Sequence, residues 1–78
     1  MARVSKISQS TDSSVRLSRT TTPCTVSTVE GDGEVYFDIR TFGSEDRVTE
    51  GHASQIMQFD RIAARQLYRA LRDTFDFD

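Results

Sequence analysis

The feature that most constrains the fold is a short apolar run that passes directly into an amphipathic segment near the C-terminus. Residues 55–59 are typical of a strand, and Asp60 suits a helix N-cap because its carboxylate accepts hydrogen bonds from free backbone amides. At about 100° per residue, the apolar side chains of 61–75 fall within an arc of about 160°. These side chains belong to Ala63, Ala64, Leu67, Tyr68, Ala70, Leu71 and Phe75. The sequence therefore predicts a helix over 61–75 with one face packed on a core.

The middle of the chain predicts a hairpin. Strand-like runs over 24–29 and 34–42 flank the segment 30–33, in which Gly31 and Gly33 permit the positive φ angles of a tight turn. Alternation divides the second run into two faces. We expect the face with Val35, Phe37, Ile39 and Thr41 to form the core under the helix. The opposite face then carries Tyr36, Asp38, Arg40 and Phe42.

The first 23 residues contain ten serines and threonines and leave two interpretations open. Runs at 4–9 and 15–20 around a turn at 10–13 predict a second hairpin. Alternatively, residues 1–13 form a flexible arm. Together these elements predict one α+β domain over 1–78. Its antiparallel meander has four to five strands, with a single C-terminal helix on one face.

Charge is distributed unevenly along the chain. Residues 1–23 carry four basic residues against one acid, a net of +3, whereas residues 24–78 carry six arginines against eleven acids, a net of −5. Such an asymmetry is typical of a basic arm on an acidic body, although a merely polar strand or tail has the same composition.

Few residues offer chemistry for catalysis or metal binding. Cys24 is the only cysteine and His52 the only histidine, and no motif places them together as a nucleophile pair or a zinc site. We therefore expect a non-enzymatic protein without cofactor or metal. A single thiol excludes an internal disulfide and favours a reducing, cytoplasmic location. No apolar run approaches the roughly 20 residues that span a bilayer, so no membrane association is expected.

One stretch resembles a known family. The run Glu-Val-Tyr-Phe-Asp-Ile-Arg-Thr-Phe at 34–42, a loop with Gly51, the run Ile-Met-Gln-Phe-Asp at 56–60 and the following helix are together similar to the positive-cofactor-four-like coactivators. The resemblance covers roughly 34–75. It implies a curved antiparallel sheet with one helix behind it, a dimer involving that helix, and single-stranded DNA on the open sheet face. By position, Arg40 matches the strand arginine of the family, and Phe42 lies near its strand aromatics. The loop departs from the lysine-rich pattern of the family, because Arg47 is its only basic residue.

Two functions follow from these observations. In the first, a transcription-cofactor-type homodimer binds single-stranded nucleic acid, with arginines on phosphates and aromatics on bases. Its site residues are Arg16, Arg19, Tyr36, Arg40 and Phe42. In the second, a small inhibitor binds a host protein through an acidic surface, like the proteins that phages direct against host defences, including anti-CRISPR proteins. Its surface comprises Glu45, Asp46 and Glu50, with the helix arginines Arg61, Arg65, Arg69 and Arg72. Those arginines either hold an anionic partner or pair with the acids of the chain itself.

Overall fold

The computed structural model describes residues 1–43 and 53–78, which form a four-stranded sheet and one helix. The strands are β1 (Ala2–Val4), β2 (Cys24–Gly31), β3 (Glu34–Thr41) and β4 (Gln55–Phe59), and the helix is α1 (Arg61–Phe75). Across the sheet the order is β1-β4-β3-β2. The predicted α+β class and the single C-terminal helix are therefore confirmed.

The hairpin of β2 and β3 is built around its turn. Asp32 (φ 52°) and Gly33 (φ 77°) are both left-handed, which is the requirement of a two-residue type I′ turn. This turn matches the twist of the flanking strands, so pairing continues without a bulge from Gly31 opposite Glu34 to Cys24 opposite Thr41.

The hairpin predicted for the N-terminal region is wrong. β1 runs parallel to β4, so the sheet is mixed rather than an antiparallel meander. Residues 5–23 form no strand, and within them Val15 and Leu17 are 74% and 96% exposed. The physical reason is that each run has only two apolar residues, whose burial is too small to offset the entropy lost on ordering a strand. Their polar side chains make local bonds instead, as where Asp12 Oδ1 accepts from the Ser14 amide at 2.9 Å.

The helix begins and ends with defined caps. Asp60 Oδ1 accepts a hydrogen bond from the Ala63 amide at 2.8 Å, so the predicted N-cap is confirmed. At the other end Asp76 adopts a left-handed conformation (φ 59°) and its amide donates to the Arg72 carbonyl. The start of α1 lies on the sheet face of Phe37 and Phe59, whose ring centroids are 6.4 Å apart.

The helix covers only part of that face, so the predicted core is only partly formed. Among described residues the buried apolar side chains are Phe42, Phe59 and Ala63. Substantially exposed apolar side chains remain on the helix-facing side of the sheet and on α1. They are Val26, Val35, Phe37 and Met57 on the sheet, with Tyr68, Leu71 and Phe75 on the helix.

Phe42 corrects a second expectation. The alternation of β3 predicts an exposed aromatic on the face away from the helix, but Phe42 is only 7% exposed. It follows the last residue of β3, where strand alternation no longer fixes the direction of a side chain. Its amide donates to Thr22 Oγ1 at 3.2 Å, which ties this end of the hairpin to the segment before Pro23.

Candidate functional site

Among the described residues, polar side chains that are far apart in sequence contact one another on one face of the sheet. This is the face turned away from α1. Register places Arg3 of β1, Gln58 of β4 and Asp38 of β3 side by side across three strands. Tyr36 and Arg40 flank Asp38 on β3 and share its face. We call these five residues the arginine–tyrosine row.

The row is centred on a carboxylate without solvent exposure. Asp38 is 0% exposed, and its Oδ1 accepts from Arg40 Nε at 2.7 Å. Its Oδ2 accepts from Gln58 Nε2 at 2.8 Å and from Arg40 Nη2 at 3.3 Å. The hydrogen bond from Arg40, followed by that from Gln58, lowers the pKa of Asp38 below its usual value although burial opposes the shift. The same contact raises the pKa of Arg40.

Asp38 thereby fixes the position of Arg40 without using all of its donors. A guanidinium carries five N–H groups, and Asp38 occupies Nε and one N–H of Nη2. The Arg40 side chain is 40% exposed. Because Asp38 already fixes the Arg40 side chain, its remaining donors can bind an anion with only a small loss of conformational entropy.

A second arginine lies against the tyrosine of the row. The guanidinium carbon of Arg3 is 5.7 Å from the centre of the Tyr36 ring, and Arg3 Nη1 donates to Tyr36 Oη at 3.3 Å. Tyr36 Oη donates in turn to Glu34 Oε2 at 3.1 Å, and this bond raises the pKa of Tyr36. Sequence reasoning missed Arg3, because β1 is three residues long and the residue that pairs with Arg3, Gln58, is 55 residues away in sequence.

The row is not a basic patch. Asp38 and Glu34 offset its two guanidiniums, and Asp32 lies 3.8 Å from Arg3 Nη1. Binding of an anion here would therefore depend on the direction of held donors and on the aromatic ring rather than on net charge.

The other predicted nucleic-acid residues do not join the row. Arg16 and Arg19 lie in the exposed segment before β2 and make no side-chain hydrogen bond or ion pair with another described residue. Phe42 is buried, so stacking on a base is excluded without a rearrangement. Of the predicted set, the structure brings together only Tyr36 and Arg40.

The helix arginines form a separate surface. Arg61, Arg65 and Arg69 are exposed, and no carboxylate of the described residues lies within 4.0 Å of their guanidiniums. Arg72 lies 3.6 Å from Asp73 and 5.8 Å from the Tyr68 ring centre. The predicted acids Glu45, Asp46 and Glu50, like His52, lie outside the described residues.

An open groove accompanies the start of the helix. It has a volume of about 460 Å³ and lies between α1 and the hairpin. Its apolar wall includes Val35, Phe37 and Phe59, and Arg61 and Ala64 form the helix side. Val35 and Phe37 in this groove are among the exposed apolar side chains that α1 leaves uncovered.

Within residues 1–43 and 53–78, no group of three or more histidine, cysteine or acidic residues is placed to hold a metal ion. The helix of these ranges is too short and too polar to cross a bilayer.

Comparison with known protein families, with characterised proteins and with solved structures finds no match to this chain.

Proposed function

We propose that this protein is a non-enzymatic homodimeric module that binds single-stranded nucleic acid on the sheet face of the arginine–tyrosine row. The observation that carries the proposal is the geometry of Arg40, which Asp38 holds in a bidentate contact while part of the guanidinium stays exposed. Such an arginine is suited to a phosphate oxygen.

The tyrosine supplies the second element of such a site. Proteins that bind single strands combine cationic contacts to the backbone with aromatic side chains on which bases stack. Tyr36 lies on the same face as Arg40, and Arg3 contacts its ring from the neighbouring part of the sheet. A base that stacks on this ring would have guanidiniums from two strands near its flanking phosphates.

The N-terminal segment supplies further positive charge for binding nucleic acid. Residues 5–23 carry Lys6, Arg16 and Arg19 against one acid, and all three basic side chains are exposed. Such a segment contributes to nucleic-acid affinity through counterion release without a fixed structure. The resemblance of 34–75 to positive-cofactor-four-like coactivators supports the same ligand.

Fluorescence anisotropy with a labelled single-stranded oligonucleotide and the matching duplex tests the proposal. We expect preference for the single strand and an affinity that falls with salt. Tyr36→Ala should weaken binding by about 1–3 kcal/mol, the usual worth of one stacked aromatic, whereas Tyr36→Phe keeps the ring and should stay near the parent.

Arginine variants separate the row from general electrostatics. Arg3→Ala should lower both affinity and the salt slope, the latter by about one if one phosphate contact is lost. Arg69→Ala removes the same charge from the opposite side of the molecule and serves as the matched control. Equal losses in both variants, or no binding by the parent at low salt, would contradict the proposal.

A second candidate function rests on the C-terminal end of α1. Phe75 and Phe77 stack with centroids 5.5 Å apart and are 61% and 59% exposed. The acids Asp73, Asp76 and Asp78 lie close to them in sequence, and all three are exposed. An exposed aromatic pair within an acidic surface is suited to a basic groove on a protein partner, as the inhibitor hypothesis requires.

A variant in which serine replaces both phenylalanines tests this candidate. Phe75→Ser with Phe77→Ser should abolish capture of a protein partner and leave oligonucleotide affinity unchanged. Loss of oligonucleotide affinity in this variant, with partner capture intact, would exclude the second candidate.

A further inference from the structure

The outer edge of β2 is unusually free of the features that prevent strand pairing. β2 has eight residues, all exposed, and pairs on one side only with β3 among the described strands. It contains no proline and no bulge, and residues 24–29 carry no charge. Natural proteins use charges, prolines, bulges or a covering element to prevent long edge strands from pairing with other chains. Because the β2 edge lacks charges, prolines and bulges over 24–29, it is suited to pairing with another strand.

The type I′ turn determines which backbone groups this edge offers. In a two-residue hairpin the residues that close the turn, here Gly31 and Glu34, exchange both of their hydrogen bonds. Hydrogen-bonded pairs then alternate along an antiparallel ladder, so Ser27 and Val29 bond to β3. The intervening residues direct their amides and carbonyls outwards. They are Cys24, Val26, Thr28 and Glu30.

We propose that β2 pairs antiparallel with β2 of a second copy of this chain, forming a continuous eight-stranded sheet. The inference specifies the interface of the proposed homodimer and does not depend on nucleic-acid binding. A two-fold axis requires that the strand complement itself. β2 meets this requirement because its uncharged centre places no like charges opposite each other.

The number of available backbone groups selects one register. With the axis at Ser27, Val26 pairs with Thr28 of the other copy and Cys24 with Glu30, so all four outward-facing residues are bonded in both copies. Moving the axis to Val26 or Thr28 leaves one outward-facing residue of each copy unpaired. In the selected register the two copies of Glu30 are at opposite ends of the ladder.

The selected register makes the two Ser27 residues direct neighbours. They form a non-hydrogen-bonded pair, for which the Cα separation is about 4.5 Å. This lies within the range of a disulfide, about 4.4–6.8 Å. Val29 and its copy are offset by four residues, about 13 Å at 3.3 Å per residue, which is beyond disulfide reach.

Cysteine substitution tests the register. In a Cys24→Ser background, which removes the only native thiol, Ser27→Cys should give a covalent dimer under mild oxidation. Val29→Cys and Thr25→Cys lie on the same strand and the same face, and should remain single chains. Equal crosslinking of all three variants, or preferential crosslinking at position 25 or 29, would overturn the proposed register.

A proline variant tests the interface itself. The Val26 amide points outwards, so Val26→Pro removes an intermolecular donor and leaves the bonds to β3 intact. Sedimentation should show a dimer for the parent and for Val26→Thr, which keeps the amide, and a monomer for Val26→Pro with an unchanged circular dichroism spectrum.

The helix offers the competing interface. If Leu71→Asp dissociates the dimer while Val26→Pro does not, the copies associate through the exposed apolar side of α1 and the inference is wrong. A parent that sediments as a monomer at tens of micromolar would overturn it as well.

Discussion

At the scale of single residues, Asp38 organises the arginine–tyrosine row. Strand alternation in the sequence predicts that it shares a face with Tyr36 and Arg40, but does not predict that it is buried. Its environment depends on Gln58, which is 20 residues away in sequence and becomes its neighbour only through β3–β4 pairing. A contact of this kind has no local sequence signal. The place of Arg40 on this face was predictable, whereas the burial of the carboxylate that positions it was not.

The lowered pKa of Asp38 predicts a pH-dependent contribution to stability. A carboxyl group with a lower pKa in the folded state stabilises that state above its unfolded pKa of about 3.9, and loses this contribution as the pH falls through the folded value. Asp38→Asn should therefore be less stable than the parent at pH 7. The difference between the two proteins should shrink below about pH 4.

Urea denaturation at pH 7, 5 and 3 measures this difference. Asp73→Asn is the matched control, because Asp73 is exposed and contacts only Arg72, at 3.6 Å, among described residues. A difference between Asp38→Asn and the parent that is the same at pH 3 and pH 7 would contradict the ionic role of Asp38.

At the scale of elements, local signals predicted α1, the β2–β3 hairpin and β4. Each has a period, cap or turn that lies within a few residues of the element itself, as with Asp60 and Gly33. β1 has none of these, since three residues are too few to show alternation and its partner strand is distant. The mixed sheet was therefore not predictable from local patterns. The incomplete cover of the sheet was also not predictable, since the position of a helix across a sheet depends on packing.

The two leucines in the apolar stripe of α1 should contribute unequally to the free energy of unfolding. Leu67 is half-buried, whereas Leu71 is 43% exposed. Leu67→Ala should cost about 2 kcal/mol of unfolding free energy, the lower end for a core leucine. Leu71→Ala should cost less than about 1 kcal/mol. Chemical denaturation of both variants measures the contrast, and a larger loss at Leu71 would mean that the stripe is rotated relative to the structure.

The N-cap contributes to the stability of the same helix. Asp60→Ala leaves the Ala63 amide without its side-chain acceptor and should cost about 1 kcal/mol. Asp60→Ser retains a capping oxygen and should recover most of that loss. If the two variants unfold at the same denaturant concentration, the hydrogen bond to Ala63 is not what stabilises the start of α1.

At the scale of the whole molecule, the charge distribution and the proposed function oppose each other. The chain has a net charge of −2, with the excess acid in residues 24–78. Long-range electrostatics therefore disfavour a polyanion, and affinity must come from the arginine–tyrosine row and the basic N-terminal segment. The same distribution favours a basic protein partner under the second candidate function.

Reversing the charge of the three acids at 45, 46 and 50 should change binding in opposite directions under these two functions. Replacement of Glu45, Asp46 and Glu50 by lysine moves the net charge from −2 to +4. If the protein binds nucleic acid, the affinity for a single-stranded oligonucleotide should rise and its dependence on salt should become steeper, because added cations release more counterions. If the acids contact a basic groove, the same variant should lose its protein partner, since like charges would then face each other.

The size of the effect should follow the number of charges changed. Replacement of the same three residues by glutamine and asparagine gives a net charge of +1, so oligonucleotide affinity should lie between those of the parent and the lysine variant. A titration of the three proteins against one oligonucleotide at several salt concentrations measures this order. Tyr36→Ala in the lysine variant tests where the strand binds. If the added charge strengthens binding at the row, this change should still reduce affinity. If Tyr36→Ala has no effect in that variant, the added lysines create a separate electrostatic site and the row is not where the strand binds.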